Sequence, residues 1–403
     1  MFTLYNAMKE SKYNIIKPLE SGEYLVFNTF NGSLSIFKNK EDYKKYNEYL
    51  TDIDELEYLK SIRAKEEKNS EYAHYTIFMT TACNARCDYC FEKDFKKTSL
   101  TKETIDEIIQ FIKNNSINNK HIHVEFFGGE PLLYFNNIKY ISKELIDFCK
   151  HKKIKYTSNI ITNASLLSKE IVNELKGLNV VNIQVTLDGT KKEYEKRKNY
   201  IDVCDSYELV LSNIEYALKN KINVSIRINF DKKNFDDIIS LLDNISYLNK
   251  YSSFNCYVMP IYSSNKKNKD VISRDKINDY FEKVFFFMID KGYIKSEKYF
   301  RLNKISNYCN AVRDNSYVFY PNGDMFKCTH LISEDDLKKK YSNIKLKNRC
   351  NKCKYLPLCQ GGCVSNKNEN SCSTNCYIYR DSINAVLNSI LKMNNINDKI
   401  KEK

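Results

Sequence analysis

Three closely spaced cysteines are the residues of this chain best suited to chemistry. Cys83, Cys87 and Cys90 are separated by three residues and then by two. Closely spaced cysteine thiolates bind iron–sulfur clusters, and a four-iron cluster held by three of them keeps one iron open. An open coordination position distinguishes a catalytic metal site from a structural one. The alternative is a zinc site with a distant fourth ligand, although zinc sites favour paired cysteines.

This spacing resembles the signature of the radical S-adenosylmethionine (SAM) enzymes. In that family an aromatic residue usually precedes the last cysteine, as Tyr89 does here. The resemblance implies that Cys83, Cys87 and Cys90 form the catalytic centre, bind a 4Fe–4S cluster and leave one iron for SAM. In the family, one electron from the cluster cleaves SAM to a 5′-deoxyadenosyl radical, which takes a hydrogen atom from the substrate. The cofactor supplies the chemistry, and the protein supplies positioning and exclusion of water.

Composition and charge narrow the class of protein. The 403 residues suffice for two or three domains. No apolar run is long enough to span a bilayer, and the first residues lack the features of a signal peptide. We therefore expect a cytoplasmic protein whose 14 cysteines serve metal ligation rather than disulfides. The net charge is +13, but lysines alternate with acidic residues and no nucleic-acid-binding motif is present, so we expect neither nucleic acid nor membrane as a partner.

The first 70 residues are predicted to form a small α+β domain. The predicted elements are strands over residues 13–18, 23–29 and 33–38 and helices over residues 41–49 and 52–66. The pair Asn31-Gly32 is a strong hairpin signal between the last two strands. The pattern resembles the small, winged-helix-like leader-binding domains of peptide-modifying enzymes, in which a leader peptide adds a strand to an open sheet edge. A domain that only caps the main body is the alternative.

Residues 75–265 alternate between strand and helix patterns. Strands are predicted over residues 75–80, 121–127, 155–162, 180–187, 222–229 and 253–259, and helices over residues 102–114, 136–150, 167–176, 206–219 and 234–246. This order implies a parallel sheet with helices outside. Six strands are too few to close an eight-stranded barrel, and a partial (β/α)6, TIM-like barrel resembles the radical SAM core. Ligands of such sheets bind at the carboxyl ends of the strands.

The remainder of the chain is predicted to form three further parts. A bridging region over residues 266–304 contains a helix over 275–291. A cysteine-rich domain covers residues 305–380. The last part, residues 381–403, consists of a C-terminal helix and a polar tail, with the closing helix predicted over residues 377–393.

A glycine pair and a glutamate follow the second predicted strand. Gly128, Gly129, Glu130 and Pro131 stand one β/α unit after the cysteine loop. Two consecutive glycines allow another group to approach the backbone closely. In the radical SAM family a Gly-Gly-Glu-Pro motif binds the amino group of SAM, and the resemblance implies this role here, with Glu130 as a charged support. An ordinary strand-to-loop turn is the alternative.

Polar residues also end the next two predicted strands. Thr162 and Asn163 resemble the family's Thr-Asn-Gly, with Ala164 in place of glycine. Thr186 and Asp188 belong to a run that resembles the family's Ser-Leu-Asp-Gly. The resemblance implies that Thr186 reaches the ribose or carboxylate side of SAM. Asp188 either joins it or caps a turn.

The fifth predicted strand carries Arg227 and Asn229. The resemblance implies a cofactor-binding role for both, since an arginine here can pair with the SAM carboxylate in a charge-assisted hydrogen bond. A buried structural ion pair is the alternative for Arg227. Arg197, shortly after the run that contains Thr186 and Asp188, matches a recurrent arginine of the family.

The second group of cysteines resembles the SPASM extension, a domain with two auxiliary 4Fe–4S clusters. Its members are Cys309, Cys328, Cys350, Cys353, Cys359, Cys363, Cys372 and Cys376. The resemblance implies three clusters in all. The first auxiliary cluster would use Cys309, Cys328 and Cys363, and the second would use Cys350, Cys353, Cys359 and Cys376, with Cys376 preferred to Cys372. A zinc ribbon is the alternative, but it needs two Cys-x2-Cys pairs and only one is present.

The motifs together resemble the peptide-modifying branch of the radical SAM/SPASM family. The resemblance implies a precursor peptide with a leader as substrate, a flavodoxin or ferredoxin as electron donor, and a crosslink as product, most simply a thioether. A sulfatase-maturating enzyme that makes formylglycine is the near alternative, but that group has an aspartate directly after the cysteine equivalent to Cys328. Here Thr329 and His330 follow, and His330 is either a proton acceptor or a core histidine. A non-catalytic metal- or peptide-binding protein is the third hypothesis.

Overall fold

The computed structural model describes residues 8–261, 270–300, 309–330, 346–363 and 380–401, together with residues 302 and 333. Its first part is a small antiparallel sheet beside a short two-stranded ladder. The strands are β1 (Lys9–Glu10), β2 (Asn14–Pro18), β3 (Tyr24–Asn28), β4 (Leu34–Phe37) and β5 (Leu50–Thr51). β3 lies between β2 and β4, and β1 pairs with β5. The predicted hairpin joins β3 to β4, and Gly32 has the positive φ of 82° that such turns favour.

The helix predicted over residues 41–49 is wrong. Two short 3₁₀ helices, Asp42–Lys45 and Asn47–Tyr49, occupy this stretch instead. Its tyrosines, at positions 43, 46 and 49, repeat every three residues, which is the period of a 3₁₀ helix. Their ring centroids lie 5.3–6.5 Å from that of Phe37 on β4. Packing on one ring therefore selects the tighter winding. The second predicted helix is present as α1 (Glu55–Glu67).

The predicted half-barrel is confirmed. Its parallel strands are β6 (Tyr72–Phe78), β7 (His121–Phe127), β8 (Lys155–Thr162), β9 (Val180–Thr186), β10 (Val224–Phe230) and β11 (Phe254–Pro260). They lie side by side in sequence order, and in the described parts of the chain β11 pairs only with β10, so the barrel stays open. Each strand ends within about two residues of its predicted position.

Helices cover the outer face of this sheet. They are α2 (Lys102–Asn115), α3 (Phe135–Lys152), α4 (Lys169–Leu175), α5 (Lys191–Lys198), α6 (Ser206–Lys219) and α7 (Phe235–Asn244), and α8 (Ile277–Asp290) follows the last strand. The sequence pattern did not predict α5, because its eight residues are charged except for the buried Tyr194. Across the described residues, none of the helices combines the length and apolar character that crossing a bilayer requires.

The cysteine-rich region adds two strands to the half-barrel. β12 (Ser316–Phe319) pairs in parallel with β6, and β13 (Met325–Phe326) pairs with β12 in an antiparallel hairpin. Neither strand was predicted, since both are short and lie between cysteines that dominate the local pattern. The pairing places the hairpin that Cys309 and Cys328 flank at the edge of the sheet beside β6, the strand that leads to the first cysteine loop.

Alternation along the strands separates the core from the concave face. On β7, Ile122, Val124 and Phe126 are fully buried, whereas His123 and Glu125 between them are half-buried. Successive side chains of a strand point to opposite faces. The apolar set therefore packs against the helices, and the polar set lines the open inside of the half-barrel.

The N-terminal sheet shares its core with the C-terminal part of the chain. Leu25 and Phe27 of β3 pack with Leu358 and with Ile383 and Leu387 of the closing helix, α11 (Ile383–Lys401). This helix follows two short ones, α9 (Asn348–Asn351) and α10 (Leu356–Cys359). The predicted closing helix therefore begins later than residue 377 within the described residues, and it extends further. The first 70 residues are not a detached module.

We expect the shared core to contribute strongly to stability. Phe27→Ala removes a fully buried ring and should lower the free energy of unfolding by about 3–5 kcal/mol. Ile36→Ala, on the neighbouring strand with 46% of its surface exposed, should change it by at most about 0.5 kcal/mol. Urea unfolding followed by circular dichroism measures both, and equal effects would contradict the shared core.

Candidate functional site

The first cysteine loop leaves β6 at the carboxyl end of the half-barrel. Thr80 and Ser99 form an antiparallel bridge that closes its base. The amide of Thr81 donates to the carbonyl oxygen of Thr98 at 2.9 Å, and the Thr81 hydroxyl donates to the carbonyl oxygen of Lys96 at 2.7 Å. Hydrogen bonds therefore hold the two ends of the loop together.

Cys83, Cys87 and Cys90 lie in this loop as free thiols. Burial, with smaller contributions from the charges of Glu130 and the other two cysteines, raises the pKa of Cys83 to about 11. Burial also raises the pKa of Cys90. Three thiolates in one partly buried pocket repel one another, so a bound cation is needed to keep them deprotonated. Such a donor set fits a metal cluster.

The spacing of the sulfur atoms does not suit a single zinc ion. Among the described residues, the ligand atoms that come within 4.8 Å of one another in a group of three belong to Glu195, Asp205 and Glu208. Its two exposed members, Asp205 and Glu208, pair with Lys191 at the surface. Tetrahedral zinc, with bonds to sulfur of about 2.3 Å, needs sulfur atoms about 4 Å apart. At least two of the three sulfur atoms in the cysteine loop are therefore more than 4.8 Å apart, which is wider than one tetrahedral zinc ion needs.

The glycine pair fits against the start of the cysteine loop. Gly128 and Gly129 both have positive φ, 85° and 48°. A Cβ on Gly128 would lie 2.8 Å from the carbonyl oxygen of Thr80, and one on Gly129 would overlap the carbonyl oxygen of Ala82. The group that approaches these glycines is thus the protein's own backbone. The carboxylate of Glu92, in the same loop, accepts a hydrogen bond from the Gly129 amide at 2.7 Å.

Glu130 joins the glycine turn to the end of β8. Its fully buried carboxylate accepts hydrogen bonds from the Thr162 hydroxyl at 2.6 Å and the Asn163 amide at 2.8 Å. It also accepts one from the amide of Leu132 at 3.0 Å, just after the buried Pro131. Burial raises the pKa of Glu130. All these donors come from the protein, so Glu130 acts as a support.

Asn163 extends this support to the first cysteine. Its side-chain amide lies 3.8 Å from Cys83 Sγ and 2.8 Å from the side-chain oxygen of Asn84. The backbone amide of Ala85 lies 3.4 Å from the same sulfur. The end of β8 therefore contacts the cysteine loop directly. Ala164, in the place of the family's glycine, has a φ of 62°.

A buried cluster of charged and hydroxyl groups holds the other side of the loop. The Tyr89 hydroxyl donates to the Asp188 carboxylate, and Lys198 Nζ lies 2.9 Å from the Tyr89 oxygen and 3.4 Å from Asp188. The Asn229 amide donates to the second Asp188 oxygen at 2.8 Å. Burial and the Asp188 charge raise the pKa of Tyr89. Asp188 is thus a joint between β9, β10 and the cysteine loop.

The remaining predicted cofactor residues lie on the concave face. Thr186 and Arg227 are neighbours across β9 and β10, and both are half-buried. Arg227 Nε donates to the side-chain oxygen of Asn229 at 2.9 Å. No described carboxylate lies within ion-pair distance of Arg227, whereas Arg197 pairs with Asp231 at 3.1 Å. A buried ion pair is therefore formed by Arg197 and not by Arg227 among the described residues.

The predicted ligands of the first auxiliary cluster act on one another electrostatically. Burial, with smaller contributions from the charges of Cys328 and Cys363, raises the pKa of Cys309 to about 11. Cys350, Cys353 and Cys359 lie within α9, α10 and the turn between them, with the Cys353 amide 3.0 Å from the Cys350 carbonyl oxygen. Cys376 and its alternative Cys372 lie outside the described residues.

Three further described cysteines are not among the predicted cluster ligands. Cys149 and Cys204 are predicted from sequence to be plain buried thiols. Cys149 is buried, but the prediction is wrong for Cys204, which is exposed just before α6. Cys256 is buried on the face of β11 that packs against the helices.

Sequence reasoning missed Lys198 and Glu92 and misjudged His330. Lys198 ends a run of charged residues that is typical of a solvent-exposed surface, so no sequence signal revealed its burial. His330 is not a core histidine: it is exposed, stacks on Phe91 with ring centroids 4.5 Å apart, and accepts or donates a hydrogen bond at 3.0 Å to Thr329. It thus connects the two cysteine regions.

Comparisons with known proteins agree with this geometry. The model of the Radical SAM superfamily matches residues 77–245. A GTP 3′,8-cyclase of Clostridium perfringens is 30% identical over 217 residues, which cover 52% of this chain and 62% of that protein. A cysteine-type anaerobic sulfatase-maturating enzyme of Clostridium novyi is 22% identical over 335 residues, 72% of this chain and 86% of that protein. The chain spans less than two thirds of the length of this cyclase and of the other curated relatives first matched, and more of the C. novyi enzyme.

Solved structures share the fold. Native anSMEcpe with bound AdoMet and Kp18Cys peptide has a TM-score of 0.64 at 16% identity, covering 80% of this chain and 99% of that one. SuiB of Streptococcus suis bound to precursor peptide SuiA has a TM-score of 0.55 at 16% identity, covering 92% of this chain and 100% of that one. Residues 77–245, which include the cysteine loop at the carboxyl end of the half-barrel, thus match the radical SAM superfamily.

Proposed function

We propose that this chain is a radical SAM peptide maturase. Cys83, Cys87 and Cys90 would hold a 4Fe–4S cluster, and one open iron would bind SAM. The observation that carries the proposal is the support of this loop from three strand ends, through Glu130, Asn163 and Asp188. A cluster held by these three cysteines would supply the electron for cleavage of SAM to a radical that could take a hydrogen atom from the substrate.

Charge around the loop suits the two ends of SAM. The carboxylates of Glu92 and Glu130 give the glycine turn a negative character that favours an amino group. Arg227, without a described carboxylate partner, presents a guanidinium that favours a carboxylate. Thr186 and Asn229 lie beside it on the concave face. In this assignment Asp188 and Tyr89 position the loop.

The second cysteine group would hold two auxiliary clusters, one on Cys309, Cys328 and Cys363. The other would use Cys350, Cys353, Cys359 and Cys376. The first has three protein ligands, so its fourth iron could hold a substrate thiolate. Support comes from the electrostatic proximity of its three thiols.

A peptide substrate is supported by the N-terminal sheet. β2 is covered, since Lys354 donates to the Asn14 carbonyl oxygen at 2.9 Å and Lys17 contacts Asn388 of the closing helix. Among the described strands, β4 pairs only with β3, so its other edge is open. Open edges bind extended peptides as an added strand. We propose that a leader docks on β4, as a winged-helix-like leader-binding domain would allow.

The proposed product is a thioether crosslink. A carbon of the core peptide loses its hydrogen atom to the 5′-deoxyadenosyl radical, a cysteine thiol loses its proton, and the carbon–sulfur bond forms with release of one electron. The first auxiliary cluster would accept that electron. A flavodoxin or ferredoxin would supply the electron that starts each cycle. A carbon–carbon crosslink is the second choice.

Formylglycine formation is the second candidate function, supported by the match that spans 86% of the C. novyi enzyme. The residue after Cys328 distinguishes the two, since it is Thr329 here and an aspartate in that group. Thioether formation keeps the cysteine sulfur in the peptide, whereas formylglycine formation removes it. Mass spectrometry of a peptide encoded beside the gene, after reaction with the reduced enzyme, separates the two.

Cys87→Ala should abolish SAM cleavage, because two thiolates do not hold the cluster with one iron open. The measurement is 5′-deoxyadenosine formed by anaerobically reconstituted, dithionite-reduced protein. Cys204→Ala, an exposed cysteine far from the loop in sequence, is the control and should cleave SAM at the wild-type rate. Normal cleavage by Cys87→Ala would exclude the proposed function.

Cys359→Ala should lose an auxiliary cluster and keep SAM cleavage to a substantial degree. Three 4Fe–4S clusters correspond to about twelve irons per chain, and the variant should hold about eight. Iron and sulfide analysis with Mössbauer spectra measures this, and Cys149→Ala is the control. About four irons with bound zinc in the wild type would make the C-terminal cysteines structural.

Ile36→Pro should weaken binding of the precursor peptide at least tenfold and leave peptide-free SAM cleavage unchanged. Ile36 lies opposite Leu25 on the edge strand, where alternate amides point away from β3, and proline has no amide hydrogen to donate. Ile36→Ala keeps that hydrogen and should bind normally. Equal affinities of the two variants, measured by fluorescence anisotropy of a labelled leader peptide, would contradict docking on β4.

A further inference from the structure

Lys198 is a buried ammonium that the proposed chemistry leaves unexplained. Only 3% of its surface is exposed. It contacts Tyr89 at 2.9 Å and Asp188 at 3.4 Å, and its Nζ also lies 5.6 Å from the centre of the Tyr89 ring. Lysine is almost never fully buried unless it is paired, and burying an ion pair costs much of what the pairing gains. The burial of Lys198 is therefore explained by its effect on the groups that it contacts, Tyr89 and Asp188.

Tyr89, which Lys198 contacts, stands between two cysteines of the loop. The last two residues of α5 both lie near its ring: the Arg197 guanidinium is 5.2 Å and the Lys198 ammonium 5.6 Å from the ring centre. Its hydroxyl donates to Asp188 and accepts from Lys198. The side chain of one loop residue is thus fixed by three charged groups.

The backbone around Lys198 is also joined to the loop. Residues 84–86 run antiparallel to residues 198–201, and the Arg86 amide donates to the Lys198 carbonyl oxygen at 2.9 Å. The chain turns sharply at Asn199, which has a φ of 45° and ends α5. Main chain and side chain of the same residue therefore hold the loop at two points.

We infer that Lys198 is a positioning residue, whose ammonium ties Tyr89 to Asp188 and places a fixed positive charge beside the cluster. The inference rests on the proposed cluster binding by the loop. A positive charge close to a cluster stabilises the reduced state, which carries one more negative charge, because opposite charges attract strongly where water is scarce. Lys198 would thus raise the reduction potential of the cluster.

The test is a potentiometric titration of the reconstituted protein, followed by electron paramagnetic resonance. To isolate the signal of this cluster, the parent protein and all variants derived from it carry Cys309→Ala and Cys359→Ala. Lys198→Met keeps the length of the side chain without the charge and should shift the midpoint potential to more negative values. Lys198→Arg should restore it. Lys196→Met is the matched control, since Lys196 lies on the same helix with 73% of its side chain exposed, and it should leave the potential unchanged.

Asp188→Asn gives an opposite test, because it removes the negative partner and should shift the potential to more positive values. Thermal unfolding of the cluster-free protein adds a second readout: Lys198→Met leaves Asp188 buried without its cation and should lower the melting temperature more than Lys196→Met. An unchanged potential in Lys198→Met, or shifts of the same sign in Lys198→Met and Asp188→Asn, would overturn the inference. Absence of any cluster in the parent protein would instead count against the proposed function.

Discussion

The contact between the glycine turn and the start of the cysteine loop is the constraint on which the site depends. The backbone of residues 80–82 passes so close to Gly128 and Gly129 that neither position has room for a Cβ. The two strands β6 and β7 are thereby locked together just where the cysteines begin. Every other support of the loop, from Glu130 to Asp188, presupposes this contact, because it fixes the direction in which the loop leaves the sheet.

Charge is the second organising factor. The pocket gathers thiols, buried carboxylates and one buried ammonium, and each of these groups would be costly to bury alone. Protein donors satisfy Glu130, and Lys198 and Tyr89 satisfy Asp188. The thiols have few protein donors by comparison. A cationic cluster would complete the balance, and so the unsatisfied part of the pocket coincides with the part that the cofactor would occupy.

Much of the fold could be predicted from sequence, because the parallel strands are rich in β-branched and aromatic residues and the helices between them have a clear apolar period. The failures have physical causes. A 3₁₀ winding over residues 42–49 depends on tertiary packing against Phe37, which a local pattern does not contain. The helix α5 lacks an apolar stripe. β12 is a strand because it pairs with β6, which lies far from it in sequence.

The site also contains residues that could be predicted from sequence and residues that could not. The motif residues were predictable because the chemistry demands particular residue types at fixed spacings. Lys198 was not, since a run of lysines and arginines has the same appearance whether one member is buried or all are exposed. His330 was misjudged because its stacking partner, Phe91, is more than 200 positions away in sequence.

The pairing of β6 with β12 has a consequence for the time course of biosynthesis. The ribosome completes residues 72–78 long before residues 316–319, so one edge of β6 stays without a partner during most of synthesis. An unpaired edge next to a cysteine loop is prone to association with other chains, and contacts so distant in sequence form slowly. The nascent chain therefore passes through a vulnerable stage that ends only when the C-terminal cysteine region emerges and seals the half-barrel.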